Sequence, residues 1–229
     1  MKKNIICFLL FFIFGCTVLG GCSNGPKEYQ KVLSEEEIAQ LQKEKYTLCY
    51  PGGSFADVGP AAPLEERVLE APFATLEFVE KLPTIEYKYT PEEGTPESIL
   101  AEKGGMSQYT FHYSAYKFKI VDRITGEIPD YLVEEDGTIT LSLPHAFETS
   151  MPDFQKGQQY VIKIAVDEDS KSLKTGWFNT YEVFYVTDNN RVLSTTNDEK
   201  RQMYSGYRLN DFKGILQEME RNPSEPVSE

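Results

Sequence analysis

Between Phe73 and Leu193 apolar residues recur at every second position, and this period constrains the fold more than any other feature of the chain. Strict alternation places apolar side chains on one face of an extended strand. Turn residues such as Asp136-Gly137 and Asn189-Asn190 separate the runs. The predicted strands span residues 73–82, 85–89, 109–124, 139–143, 160–166, 181–186 and 192–193.

The longest predicted strand, residues 109–124, changes its apolar face near Ser114. Phe111 and Tyr113 share one face, whereas Tyr116 and Phe118 share the other, and a β-bulge or sharp bend explains the change. A bent strand that pairs on both sides removes exposed edges. The sequence therefore predicts a mainly β fold, a small five- to six-stranded OB-like barrel with short flanking helices. A flatter sandwich is the alternative.

Helical patterns flank these strands. Ser34 and Glu37 form a capping box for a helix over residues 34–45, whose narrow apolar stripe predicts a loosely docked spacer. Shorter helices are expected over residues 64–70 and 96–103. Near the end of the chain, capped by Asn210 or Asp211, a last helix carries apolar residues at helical spacing: Phe212, Ile215, Leu216 and Met219.

The first residues have a different character. Lys2 and Lys3 precede an uncharged apolar run over residues 5–19, and Leu19-Gly20-Gly21-Cys22 closes the segment. The run is shorter than the roughly 20 residues that a membrane-spanning helix needs. A basic start, a short apolar run and small residues before a cut are typical of a secretory signal.

The cysteine directly after Leu-Gly-Gly resembles the lipobox of bacterial lipoprotein precursors, in which this thiol receives a diacylglyceryl group before cleavage. The resemblance implies lipid attachment at Cys22 and a protein held on the extracytoplasmic face of the cell membrane. Cys16 fits the pattern less well because bulky Phe14 precedes it. The expected organisation is a signal over residues 1–21, a tether over 22–33, a spacer helix and Pro/Gly-rich loop over 34–62, the barrel domain with its C-terminal helix over 63–221, and a disordered tail over 222–229.

The net charge of −13 argues against nucleic acid as a partner, because an acidic surface repels phosphates. The motifs also argue against several kinds of chemistry. His112 and His145 do not have metal-ligand spacing, and no serine stands in a G-x-S-x-G elbow. The sequence therefore predicts no metal, no cofactor and no catalytic residue. Cys49 has no partner in a disulfide framework and is interpreted as a partly buried apolar residue.

The aromatic content is high, with 14 Tyr, 14 Phe and one Trp. Most of these residues lie at strand positions and are expected in the core. Four lie in predicted loops beside glycine, namely Trp177, Phe178, Tyr204 and Tyr207. Exposed aromatic residues in loops are typical of binding sites, so these four are the candidate ligand-binding residues. The alternative is that they plug the end of the barrel.

The order of elements from residue 63 to 193 resembles a group of exported OB-like β-barrel lipoproteins of Firmicutes. The similar stretches are the short helix and first strand (63–69 and 73–80), residues 116–126, residues 139–143, the phrase FQKGQQYVI at 154–162, and residues 181–193. The barrel plan also looks like that of netrin-type and metalloprotease-inhibitor modules, which bind proteins. This chain does not contain their cysteine framework.

The sequence supports two hypotheses about function. The first is a membrane-anchored, non-enzymatic binding or interaction module of the cell envelope, with an envelope protein or glycan as partner. The second is an envelope hydrolase whose site assembles from scattered residues, since Ser-His-Asp groups come together from distant positions in a chain.

Overall fold

A computed structural model describes residues 28–50 and 62–223. Cys22, the predicted signal, most of the Pro/Gly-rich loop and residues 224–229 lie outside the described residues. The helices are α1 (Glu35–Glu44), α2 (Leu64–Glu70), α3 (Pro96–Lys103), α4 (Glu168–Leu173), α5 (Glu199–Gln202) and α6 (Leu209–Arg221). The strands are β1 (Phe73–Tyr89), β2 (Tyr109–Arg123), β3 (Thr138–Pro144), β4 (Gln159–Lys163), β5 (Gly176–Trp177), β6 (Val183–Val186) and β7 (Val192–Ser194).

The strands form one sheet in the order β5-β3-β2-β1-β4-β6-β7. The pair β3–β5 is parallel, and the other pairs are antiparallel. The mainly β fold is confirmed. The prediction of a small five- to six-stranded OB-like barrel is wrong, because the sheet has seven strands and is not closed into a barrel.

The reason lies in β4. This strand pairs with β1 on one edge and, at Tyr160–Ile162, with β6 on the other, so β6 and β7 extend the sheet where a barrel would close. The two-residue strand β5 meets this side of the sheet at a residue that follows the end of β4. There Ala165 and Trp177 exchange two backbone hydrogen bonds of 2.8 and 2.7 Å as an isolated bridge.

Strand β1 continues through Pro83 as one 17-residue strand. Its register against β2 shifts at Thr75/Leu76, Phe78/Glu80 and Leu82/Ile85. The last shift lies opposite Ser114, where the sequence predicts a bulge, but the extra residues belong to β1. Pairing of β2 with β3 runs from Tyr113 to Lys119 without interruption. Proline fits here because this stretch of β1 has no strand on its other edge in the described part of the chain.

Two hydrophobic cores stabilise the fold. The larger core lies on the sheet face of Leu76, Phe118 and Leu141 and includes Phe154 and Phe178. The smaller one lies where α2 and α6 pack on the ends of β1, β4, β6 and β7; its members include Leu64, Val68, Phe73, Val161, Phe184, Val192, Phe212 and Leu216. These helices bury the apolar stripes that the sequence predicts.

Side chains cap the first turns of four described helices, whereas α2 and α6 have no side-chain cap. Ser34 accepts from the Glu37 amide, and Glu37 accepts from the Ser34 amide, so the predicted capping box is present. The docking of α1 is tighter than expected, since Ile38 is 4 % exposed and belongs to the larger core. The last helix begins two or three residues earlier than predicted, because its N-cap is Arg208 rather than Asn210 or Asp211, and it has no side-chain cap.

No helix within residues 28–50 and 62–223 has both the length and the apolar character needed to cross a bilayer.

Candidate functional site

The structure places Trp177 and Phe178 in different surroundings although they are neighbours in sequence. Trp177 is half-buried on β5, and its ring centroid lies 4.8 Å from that of Tyr113. Phe178 is 5 % exposed and packs edge-on against Tyr116 and Phe118 in the larger core. This burial leaves Phe178 little surface to offer a ligand.

The other two candidates lie at the smaller core. Tyr204 is 5 % exposed, packs 5.8 Å from Phe212 between ring centroids, and donates from its hydroxyl to Glu65 at 3.0 Å. Tyr207 is half-buried against the same core. The structure therefore does not bring the four candidates together, and a ligand-binding role for each stays a prediction.

Trp177 belongs instead to a larger aromatic surface on the ribbon formed by β1 and β2. We call this surface the aromatic face; it consists of Ile85, Tyr87, Tyr89, Tyr109, Phe111, Tyr113 and Trp177. Three cross-strand pairs build it, because Ile85 lies opposite Tyr113, Tyr87 opposite Phe111, and Tyr89 opposite Tyr109. Cross-strand partners point to the same side of a sheet, so their rings form a continuous surface.

Ring stacking orders this surface. The ring centroids of Tyr87 and Phe111 lie 6.5 Å apart with an interplanar angle of 25°, and those of Tyr109 and Phe111 lie 6.4 Å apart at 29°. Tyr89 is 37 % exposed and Phe111 is 45 % exposed. The opposite side of the ribbon carries the polar residues Glu86, Lys88, Thr110 and His112. These polar residues are exposed, whereas on the aromatic side Tyr89 and Phe111 are exposed and the other members are half-buried.

Two carboxylates border the aromatic face, and both come from the N-terminal end of α4. Asp169 accepts a 3.0 Å hydrogen bond from the Tyr87 hydroxyl. Asp167 is the N-cap of α4 and accepts from the Ser170 amide at 2.9 Å. Neither carboxylate forms an ion pair with any residue in the described ranges.

The titration of nearby groups reflects this negative border. Burial, followed by the charges of Asp169 and Asp167, raises the pKa of Tyr113 above its ordinary value. Burial alone would raise the pKa of Asp167, but the neighbouring Trp177 indole and the hydrogen bonds from Ser170 outweigh it, so the pKa is lowered. The Trp177 Nε1–H is buried without a partner that meets hydrogen-bond geometry. Asp167 is therefore ionised at neutral pH beside an aromatic surface.

A second cluster joins a serine, a histidine and two charged groups. The Ser114 hydroxyl donates to Glu148 Oε2 at 2.6 Å and lies 2.8 Å from His145 Nδ1. His145 Nδ1 also lies 2.9 Å from the same Glu148 oxygen, and Lys81 contacts the other oxygen. Hydrogen bonds from Lys81 and Ser114 lower the pKa of Glu148.

The geometry of this cluster differs from a nucleophile relay. In a relay the two ring nitrogens of histidine contact the nucleophile and the carboxylate separately. Here Nδ1 lies close to both partners, and the carboxylate accepts a hydrogen bond directly from the serine hydroxyl. Ser114 is also 1 % exposed. The other histidine, His112, lies on the reverse side of the ribbon, 4.0 Å from Glu86.

A buried ion cluster lies between α2 and β4. The buried Lys163 ammonium lies 2.6 Å from Glu70 and 3.5 Å from Glu182, and Glu182 also accepts from Asn179. This ion cluster links α2 to β4, and its charges are already paired with one another.

An open cavity of ≈ 550 Å³ lies elsewhere, between the connection from β2 to β3 and Lys174, and is lined by Tyr131, Glu134, Glu135 and Asp136. No cluster of three metal-ligating side chains occurs in the described ranges.

Most residues of the aromatic face were not predicted as site residues, because aromatic residues at strand positions were expected in the core. The signal was present, since Phe111 and Tyr113 alternate out of phase with Tyr116 and Phe118. An unbroken strand that keeps Tyr116 and Phe118 in the core must point Phe111 and Tyr113 to the other side. The contact with Trp177, 64 positions along the chain, had no local signal.

No family model matches the chain, and no curated protein sequence matches it significantly.

Proposed function

We propose that this protein is a membrane-anchored extracytoplasmic lipoprotein that acts as a non-enzymatic binding module of the cell envelope. The lipobox at Cys22 supports the anchor. The aromatic face supports the binding role, with an envelope protein or glycan as the partner. Two acyl chains on one cysteine hold a protein stably at a membrane, whereas a single chain does not.

The observation that carries the binding role is the exposure of adjacent aromatic rings. Tyr89 and Phe111 keep more than a third of their surface in contact with solvent, and the half-buried rings of Tyr87 and Tyr109 stack on Phe111. Contiguous exposed apolar area is uncommon on soluble proteins and marks sites of interaction. Aromatic residues also dominate the energetic centres of binding surfaces.

The test is retention on envelope material. The full-length protein in a non-ionic detergent is mixed with detergent-washed envelope fragments and pelleted. We expect the wild type in the pellet and the Tyr89→Ala/Phe111→Ala variant in the supernatant. Each ring contributes about 0.5–1.5 kcal/mol beyond its burial, so the dissociation constant should rise roughly 5- to 150-fold.

The matched control is Tyr50→Ala, because Tyr50 is 68 % exposed and does not belong to the aromatic face. Digesting the fragments with protease or with glycosidase beforehand distinguishes a protein partner from a glycan. Equal pelleting of the wild type and the double variant would reject the binding role of this surface.

The hydrolase remains the second candidate, and one observation favours it: the fold brings Ser114, His145 and Glu148 into mutual contact. Burial of Ser114 and its direct hydrogen bond to Glu148 favour a structural role. If the site were catalytic, the His112→Ala/His145→Ala variant would lose a hydrolytic activity that the wild type shows against envelope substrates. An unchanged activity would exclude any histidine-based version.

A further inference from the structure

Four features of the aromatic face together indicate one class of ligand. The first is the set of ring faces, since Tyr113 and Trp177 pack 4.8 Å apart at a 50° angle and Tyr87 and Phe111 stack beside them. The face of an aromatic ring carries a negative electrostatic potential and attracts ammonium and guanidinium groups. Such a surface therefore favours cations as well as apolar groups.

The second feature is the border of negative charge. Asp169 approaches the surface closely enough to accept from Tyr87, and Asp167 lies beside Trp177. Neither has an ion-pair partner in the ranges described, so no protein cation there neutralises their charge. Within the segments 85–89 and 109–113 that form the aromatic face, the lysine, Lys88, points to the reverse side because it pairs with Thr110. Opposite charges on the two sides of an interface favour one orientation of binding.

The third feature is the backbone of the ribbon. In the described part of the chain, β4 pairs with β1 only over Phe73–Glu77, so residues 79–89 have a strand partner on one edge alone. Pairing of β3 with β2 begins at Tyr113, which leaves residues 109–112 in the same situation. Unpaired strand edges offer backbone N–H and C=O groups to an extended peptide. A sugar chain has no peptide backbone that could continue the ladder of a β-sheet.

The fourth feature is the overall charge of −13, which attracts a cationic partner over a distance. We infer that the aromatic face binds an extended, cationic polypeptide segment, whose Lys or Arg side chains lie on the rings of Tyr87, Phe111 and Trp177 beside the carboxylates of Asp167 and Asp169. This inference rests on the proposed binding function and names the class of its partner.

The experiment uses the full-length protein in a non-ionic detergent and three fluorescein-labelled peptides, observed by fluorescence anisotropy. In the peptide KTKTKTKT an extended chain presents every lysine to one surface. The peptide KKTTKKTT has the same charge but presents only half of its lysines to one side. The peptide ETETETET reverses the charge. We expect the alternating lysine peptide to bind more tightly than the block peptide, and the acidic peptide not to bind.

Variants connect the binding to the surface. Asp169→Asn keeps an oxygen that accepts from Tyr87 but removes the charge, and we expect about threefold weaker binding of the alternating peptide. Trp177→Leu removes the ring face, with a similar expected loss. The control Asp130→Asn removes an exposed carboxylate outside this surface and should bind as the wild type does.

The outcomes separate this inference from the proposed function. Equal binding of the two lysine peptides, or equal binding by Asp169→Asn and wild type, would overturn the inference. So would saturable binding of a β-1,4-linked N-acetylglucosamine tetramer that depends on Phe111, with no binding of the lysine peptides. In that last case the envelope-binding function would stand, and its ligand would be a glycan.

Discussion

At the scale of single residues, Cys49 shows how the fold determines chemistry. The side chain is 8 % exposed, and its burial, opposed by a hydrogen bond from Tyr185, raises the thiol pKa from 9.0 to about 11. The neutral form is therefore favoured in the folded protein. The raised pKa contributes to the free energy of unfolding. This contribution is fully present below pH 9, the pKa of an unfolded thiol, and is lost as the pH rises through the thiol pKa of the folded protein.

We expect the thiol of Cys49 to resist alkylation in the folded protein. At pH 9 about half of an unfolded thiol population is ionised, whereas only about one thiol in a hundred is ionised when its pKa is about 11. Reaction with iodoacetamide should be roughly fiftyfold slower than in denaturant, as measured by mass spectrometry of the peptide that contains Cys49. Equal rates in both conditions would show that the thiol is exposed and reactive.

The sequence indicated the residue type of the binding surface but not its location. Of the four aromatic candidates, only Trp177 lies on the aromatic face, whereas Phe178 and Tyr204 are buried in two different cores. Glycine neighbours suggested loops, but Gly176 is itself part of β5. A two-residue strand that pairs with β3 in parallel has no periodicity of its own, so local pattern could not reveal it.

At the scale of elements, local chemistry determined some helix boundaries but not every boundary, since β1 runs through Pro83 as one strand and α6 begins before its predicted caps. Helix α1 begins at its predicted capping box, and α2 spans the predicted residues. What local chemistry could not determine was the pairing. The hairpin of β6 and β7 adds to β4 and occupies the edge that a closed barrel would need. Pairing of distant strands depends on the whole set of contacts rather than on either sequence alone.

The capping box of α1 provides a test of how firmly this helix is held. Ser34→Ala removes the side chain that accepts from the Glu37 amide, so the free energy of unfolding should fall by about 1 kcal/mol. Chemical denaturation followed by circular dichroism measures the change. Ser34→Asp keeps an acceptor and should restore most of the loss.

The matched control for Ser34 is Ser107→Ala, because Ser107 is exposed and precedes β2 rather than a helix. Its stability should equal that of the wild type. An undiminished stability in Ser34→Ala would mean that α1 contributes little to global unfolding, despite the burial of Ile38.

At the scale of the whole molecule, the acidic charge and the lipobox predict the behaviour of the protein in a cell. We expect Cys22→Ala to prevent lipid attachment, so the protein should leave the membrane fraction or stay unprocessed. Fractionation with mass spectrometry of the N-terminal peptide measures both results. Cys16→Ala is the control and should fractionate as the wild type does. A Cys22→Ala protein that is processed and sediments normally would contradict the predicted anchor.

The beginning of the described chain is fastened to its last helix. The Tyr29 hydroxyl donates to Glu218 of α6 at 2.8 Å, and its ring occupies the space in which a side chain at Gly214 would have to lie. Nearby, the Val32 amide donates to the Gly206 carbonyl at 2.9 Å. A mechanical pull applied at residue 28 would therefore load the contacts of Tyr29 and Val32 before any tension reached the ribbon of β1 and β2.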